Sequence, residues 1–193
     1  MASTTKQAIV ASFLKLCARK SPDKITVRDI VDDCEINRNT FYYYFQDIYA
    51  LIEEVFRFWA RDFIAECEAG NRLENGLSSL TEQILTHRKA AISLLLSFDS
   101  VLLEDHWFRA TADAWVGWVR CRAEKLTVSE QAIRYVGMTY ALGFFGILRR
   151  WIRGSMKVDS HKIVLHYEMT WLCGVEEALL RYESEFGRKE TEE

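Results

Sequence analysis

An all-α fold follows from three features of the sequence: scarce chain breakers, apolar residues recurring at three- and four-residue spacing, and helix-start signals at the junctions. Nine Gly and one Pro in 193 residues are too few for the many turns of an all-β protein. With 49% hydrophobic and 27% charged residues, the chain is also too apolar to be disordered, and long enough to bury a core without metals or disulfides. One or two small helical domains are expected.

Along the chain, Thr4 and Gln7 suit a capping box before a helix at about 5–20, carrying Ile9, Val10, Phe13, Leu16 and Cys17 and stopped by Ser21-Pro22. Thr26-Val27-Arg28-Asp29 is a second capping box and starts a short helix that buries Val27, Ile30 and Val31. Glu35-Ile36-Asn37 turns the chain, and Asn37 caps a third helix, Arg38 to Phe45. Two short helices joined by so few residues make a helix-turn-helix. A longer pattern then runs to about Glu68 through Leu51, Ile52, Val55, Phe56, Trp59 and Phe63. Further helices are expected at 77–97, 101–125, 129–153 and 160–186, separated by Asp99-Ser100, Thr127 to Ser129, and Gly154 to Ser160.

Net charge is −3, which excludes a globally cationic coat for nucleic acid. The first 50 residues hold seven Lys and Arg against six Asp and Glu, so any such contact must come from a local patch. Cys17, Cys34, Cys67, Cys121 and Cys173 are scattered and odd in number, which suggests neither a disulfide framework nor a zinc knuckle. They read as small core residues, with a thiol sensor as the alternative. The start, interrupted by Lys6 and Lys15, does not read as a secretory leader, and the uncharged run from Tyr135 to Leu148 is too short for a membrane span. A soluble, cytoplasmic protein is expected.

The informative stretch is Arg38-Asn39-Thr40-Phe41-Tyr42-Tyr43-Tyr44-Phe45. One helical turn separates Phe41 from Phe45, so both can dock inward with Ile36 while Arg38, Asn39, Tyr42 and Tyr43 face outward. Facing DNA, tyrosine hydroxyls donate to phosphates, Arg38 can read guanine and Asn39 can read adenine. Spacing alone equally fits an aromatic core helix.

Residues 5–52 resemble the DNA-binding domain of TetR-family transcriptional regulators. Ile36 to Phe45 is similar to that family's turn and recognition helix, with Thr40, Phe41, Tyr42 and Phe45 on its Thr-aromatic-Tyr-x-x-Phe run, and Thr26 to Ile30 resembles the start of its second helix. The resemblance implies phosphate contacts from Thr26, Arg28, Thr40, Tyr42 and Tyr44, and base contacts from Arg38, Asn39 and Tyr43. Two positions depart from the family. Ile48 stands where a backbone-gripping Lys is common, and Asn39 replaces a common glycine, so neither salt dependence nor operator sequence carries over from relatives. Gly143 to Trp151 further resembles the C-terminal domain of a Firmicutes-type subgroup that includes regulators of dihydroxyacetone kinase operons.

Residues 129–153 and 161–186 are apolar on more than one face, which suggests that one face meets the core and the other a twofold mate in a four-helix bundle. Gly143, Ile147, Trp151, Trp171, Val175 and Leu179 are the expected dimer residues, with Gly137, Gly143 and Gly146 allowing close helix approach. Phe63, Phe98, Trp107, Trp115, Trp118, Tyr140 and Phe144 are candidates to line a pocket for a small apolar or aromatic effector. Plain core packing is the competing reading.

No G-x-S-x-G, H-E-x-x-H, G-x-G-x-x-G or P-loop occurs, so no enzyme activity, cofactor or metal is expected. His161 and His166 fall on different helix faces, Glu104-Asp105-His106 reads as a solvated loop or helix start, and Arg149, Arg150 and Arg153 read as a wet face or dimer rim. The expected organisation is a DNA-binding unit over residues 1–50 and a dimerising, effector-binding unit over 51–190. The expected protein is a ligand-responsive regulator of the repressor type, acting as a homodimer on a pseudo-palindromic operator. A helix-turn-helix-derived interaction module is the alternative.

Overall fold

The computed structural model describes residues 2–70, 72–97, 100–171 and 174–187. Among these, eleven α-helices and no strands occur. Phe98 and Cys173 lie outside the described residues.

Helix α1 (Ala2–Cys17) buries Ile9, Val10, Phe13, Leu14 and Cys17. It begins before Thr4, so the expected capping box lies inside its first turn instead of at its start. After a 3-10 turn at Pro22–Lys24, α2 (Val27–Asp33) and α3 (Arg38–Tyr44) form the helix-turn-helix. α2 ends in a Schellman motif: the Ile36 amide donates to the Val31 carbonyl at 3.0 Å, and the Glu35 amide to that of Asp32 at 3.4 Å. Glu35 takes a left-handed φ of 55° there, where glycine is usual.

α4 (Ile48–Trp59) leaves this unit with Asp47 as its cap and buries Leu51, Ile52, Val55, Phe56 and Trp59. The sequence pattern continues to Glu68, but the helix breaks at Ala60 and resumes as α5 (Arg61–Glu68). The break re-aims the apolar stripe, so that Phe63 and Cys67 pack toward α6 (Leu73–Thr86) and α8 (Ser100–Ala123). Gly76 lies inside α6. A Cβ there would sit 2.8 Å from the Phe63 backbone Cα, so only glycine allows this crossing.

α6 ends at His87, and α7 (Arg88–Ser97) turns away to pack on α1. α8 and α9 (Glu130–Arg153) form the most extensive helix pair, with Gly137 packed directly against Val116. The last expected helix divides into α10 (Ser160–Thr170) and α11 (Val175–Tyr182), followed by a π-helical turn at Glu183–Gly187. The helix-turn-helix unit is therefore tied to the remaining helices through α1 and the 3-10 turn, both on α7, and through α4 on α8. No described helix is long and apolar enough to cross a membrane.

Candidate nucleic-acid interface

Local chemistry builds the helix-turn-helix. The Thr26 hydroxyl accepts from the Asp29 amide at 3.2 Å while the Asp29 carboxylate accepts from the Thr26 amide at 2.7 Å, closing the capping box. Lys20 pairs with the same carboxylate at 2.7 Å. The Lys20 ammonium, helped by the Thr26 hydroxyl and amide, holds Asp29 well below the usual carboxylate range. Lys15 and then Ser12 do the same for Asp33, which locks α1 to α2.

In α3, Asn37 accepts from the Thr40 amide at 2.8 Å and from its hydroxyl at 3.1 Å. Phe41 and Phe45 are buried with ring centroids 5.8 Å apart, on the inner face that their spacing predicts. Tyr42 is 54% and Tyr43 80% exposed, and Arg38 and Asn39 are exposed beside them. Tyr42 packs edge-on against buried Phe41, and Tyr43 edge-on against half-buried Tyr44, so the two outer rings are braced from behind.

Arg38 has no acidic partner among the described residues, whereas exposed Arg28 lies 3.5 Å from Asp32. Thr26 is exposed but its hydroxyl serves the cap, and half-buried Thr40 is engaged by Asn37. Ile48 begins α4 and packs half-buried against the core, adding no charge to this edge. The result is a short helix whose open edge carries a guanidinium, a carboxamide and two phenols.

A model of bacterial regulatory proteins of the tetR family matches residues 9–55, and a model of a transcriptional regulator C-terminal region matches residues 71–169. The chain belongs to the TetR family. The matched descriptions do not reach the narrower subgroup suggested by Gly143 to Trp151, and no curated protein matches the chain. The exposed edge of α3 thus lies within the helix-turn-helix that the tetR-family model covers.

In the C-terminal region of this TetR-family chain, the described candidate pocket residues are buried, most of them against other rings of the core. Phe63, Phe144 and Tyr167 surround Trp115 at centroid distances of 4.8 to 6.1 Å, and Tyr140 meets Trp171 at 6.4 Å. The Tyr167 hydroxyl donates to the Tyr140 carbonyl, and burial pushes that phenol above its ordinary range. Trp107 lies between Phe56 and Phe145 and borders a cavity of about 20 Å³, room for a single water molecule. Trp118 lies apart from this group, edging an open groove with Leu165 and Met169.

The expected dimer residues divide. Trp151, Val175 and Leu179 are buried within the subunit, so they cannot form an outer face. Trp151 donates to the Val158 carbonyl at 2.8 Å, an inward role that periodicity alone conceals. Gly143 and Ile147 are partly exposed, Trp171 is exposed, and Tyr135 and Leu142, outside the expected dimer set, add apolar surface to α9. Gly137 and Gly143 serve close approach within the subunit, to Val116 and to the Trp171 ring, while Gly146 faces open space.

The reading of Glu104-Asp105-His106 as solvated is corrected at His106. That ring is buried on α8, stacked parallel to Tyr49 at 5.7 Å, with Nδ1 3.7 Å from the Glu53 carboxylate of α4. Arg57, bonded to Glu53 at 2.5 Å, also donates to the Arg109 carbonyl at 3.3 Å. A polar joint between α4 and α8 results. Sequence reasoning missed it because its partners lie about fifty residues apart. Burial pushes the Cys17 thiol up to about 12 and Cys67 higher still, leaving both as core residues. Among the described residues, no three His, Cys, Asp or Glu side chains gather as a metal site.

Proposed function

We propose that this TetR-family regulator binds a pseudo-palindromic operator as a homodimer, represses transcription from it, and releases it in response to a small ligand. The observation that carries the reading is the outward edge of α3. A 54% exposed Tyr42 and an 80% exposed Tyr43 stand beside Arg38 and Asn39 on a helix whose inner face is fully committed to the core. Arg38, Asn39 and Tyr43 read base edges, and Thr26, Arg28, Thr40, Tyr42 and Tyr44 contact phosphates.

The twofold face lies on the outer side of α9 and α10, through Leu142, Gly143, Ile147 and Trp171, with Tyr135 at its margin. Exposed apolar side chains on adjoining helices support that placement. Pairing there sets two recognition helices in successive major grooves, about one helical turn apart. The α4–α8 joint couples the units: a ligand that shifts α8 against α4 changes the distance between the reading heads. Residues 1–50 form the reading unit and 51–190 the dimerising unit, with α4 crossing the boundary. No catalytic role is assigned.

Selection from random duplex DNA at low salt tests the reading. Enrichment of an inverted repeat whose half-sites lie one helical turn apart is expected. Salt-sensitive retention with no enriched sequence defeats it, and favours an interaction module built on the same fold.

A further inference from the structure

The seam between α4 and α8 holds a histidine that the proposed DNA contacts do not use. The His106 ring is 6% exposed and lies parallel to the Tyr49 ring of α4, with centroids 5.7 Å apart. Its buried Nδ1 has no hydrogen-bond partner among the described residues. The Glu53 carboxylate stands 3.7 Å away, too far for a hydrogen bond but within reach after a shift of under about 1 Å. Arg57 bonds Oε1 of that carboxylate, whereas Oε2 is the oxygen that faces His106. A carboxylate accepts at both oxygens, so the Arg57 pair does not fill the position.

We propose that His106 is a regulatory proton-binding site: the protonated ring ties α8 to α4 through Glu53 and Tyr49 and raises operator affinity. The effect on DNA rests on the regulator reading above, and the proton site stands without it. In the neutral ring, Nδ1 either turns a lone pair toward a carboxylate or holds an N–H too far from it, and both leave a buried polar atom unpaired. In the charged ring, the Nδ1 proton is donated to Glu53 in a charge-assisted bond, and the positive ring gains attraction to the face of Tyr49. Histidine is the side chain whose ordinary charge change falls in the physiological pH range.

Other charges surround the site without replacing Glu53. On its own helix His106 has Glu104, Asp105 and Arg109 nearby. On α4, Arg57 is matched by Glu53 and by Glu54 at 4.0 Å. α9 brings Arg149 to the cavity beside Trp107. α5 and α11 meet α8 farther along, where Phe63 packs on Trp115 and where Val175 and Glu176 border the groove of Trp118 and Arg122. Among the described residues, Glu53 is the ionic partner that comes within 4.0 Å of the imidazole. The same seam buries the indole N–H groups of Trp59 and Trp107 without described partners, so a charged His106 adds to few polar ties there.

Position supplies the regulatory consequence. Tyr49 and Glu53 lie in the first two turns of α4, which follows the recognition helix directly. A tie at that point holds the reading unit against α8 before DNA arrives, which lowers the ordering cost of binding. Proton and operator affinities are then coupled reciprocally.

The first test uses the full-length protein without DNA. Denaturant unfolding of the parent, His106→Gln, Glu53→Gln and the double variant gives their coupling at about pH 6 and about pH 8. Read as a ratio of unfolding constants, the coupling is expected to be at least about fivefold larger at the lower pH. Equal coupling at the two pH values, or coupling that grows toward the higher one, overturns the proton site. The second test needs no change at Glu53 and follows binding of the selected operator by fluorescence anisotropy. Between about pH 8 and about pH 6 the parent is expected to gain at least about threefold more affinity than His106→Gln. A gain no larger than the variant's overturns the regulatory step. Acid-dependent coupling with no enriched operator sinks the regulator reading and leaves the proton site, and an enriched operator with pH-independent coupling does the reverse.

Discussion

Helix α3 and the α8–α9 pair are both rich in aromatic side chains and use them in opposite ways. On α3, two adjacent tyrosines are held out by the rings behind them. Between α8 and α9, Trp107, Trp115, Phe144 and Phe145 are turned inward and stack with rings from α4, α5 and α10. Composition does not separate the two cases; the partners of each ring do. An inward ring contributes stability through area removed from water, whereas an outward ring contributes little to stability and is available for contact with another molecule.

Substitutions that move one quantity and not the other test this contrast. Trp115→Ala removes the centre of the inner cluster and should lower the free energy of unfolding by about 3–5 kcal/mol, read by denaturant titration. A loss under about 1 kcal/mol would mean the cluster is loosely packed. The double substitution Arg38→Ala, Tyr42→Ala should weaken binding of the selected operator about 100-fold by fluorescence anisotropy. It should change unfolding free energy by less than about 1 kcal/mol in total. A large stability loss in that variant would erase the distinction between the two regions.

Gly76→Ala places a methyl 2.8 Å from the Phe63 backbone and should cost about 1–3 kcal/mol by forcing α5 from α6. Asp29 gives a pH test. Its folded pKa lies below the ordinary value near about 4, chiefly through Lys20. Its contribution is therefore fully present above the unfolded pKa and is lost as pH falls through the folded one. Asp29→Asn should leave the shape of the stability curve unchanged above about pH 5 and flatten its decline below about pH 4. Asp33 and Asp62, shifted the same way, keep part of that slope. The smallest effect is expected of Ile48→Lys, which restores a cation at the start of α4 and should steepen the salt dependence of operator binding by about one unit.

The features legible in the sequence were those decided within a few residues. The Thr26–Asp29 box, the Asn37 cap and the inward pair Phe41 and Phe45 follow from spacing and side-chain chemistry alone. The features that were not legible depend on what lies across the fold. Ala60 interrupts an apolar pattern that periodicity reads as continuous, because the residues beyond it pack toward α6 as well as α8. His106 looks polar and solvated beside Glu104 and Asp105, yet Tyr49 and Glu53 cover it. Trp151 and Leu179 share a helical face with exposed neighbours and are still buried, because a helix apolar on two sides does not declare which side its own subunit covers.

The most direct measurement places a photoreactive benzoylphenylalanine at Tyr43 and irradiates the protein on its selected duplex. The account predicts crosslinks to bases at two positions related by the operator's twofold axis, one from each subunit, that disappear in an unrelated duplex. Crosslinks confined to protein, or equal yields on any sequence, would contradict an outward reading edge on α3.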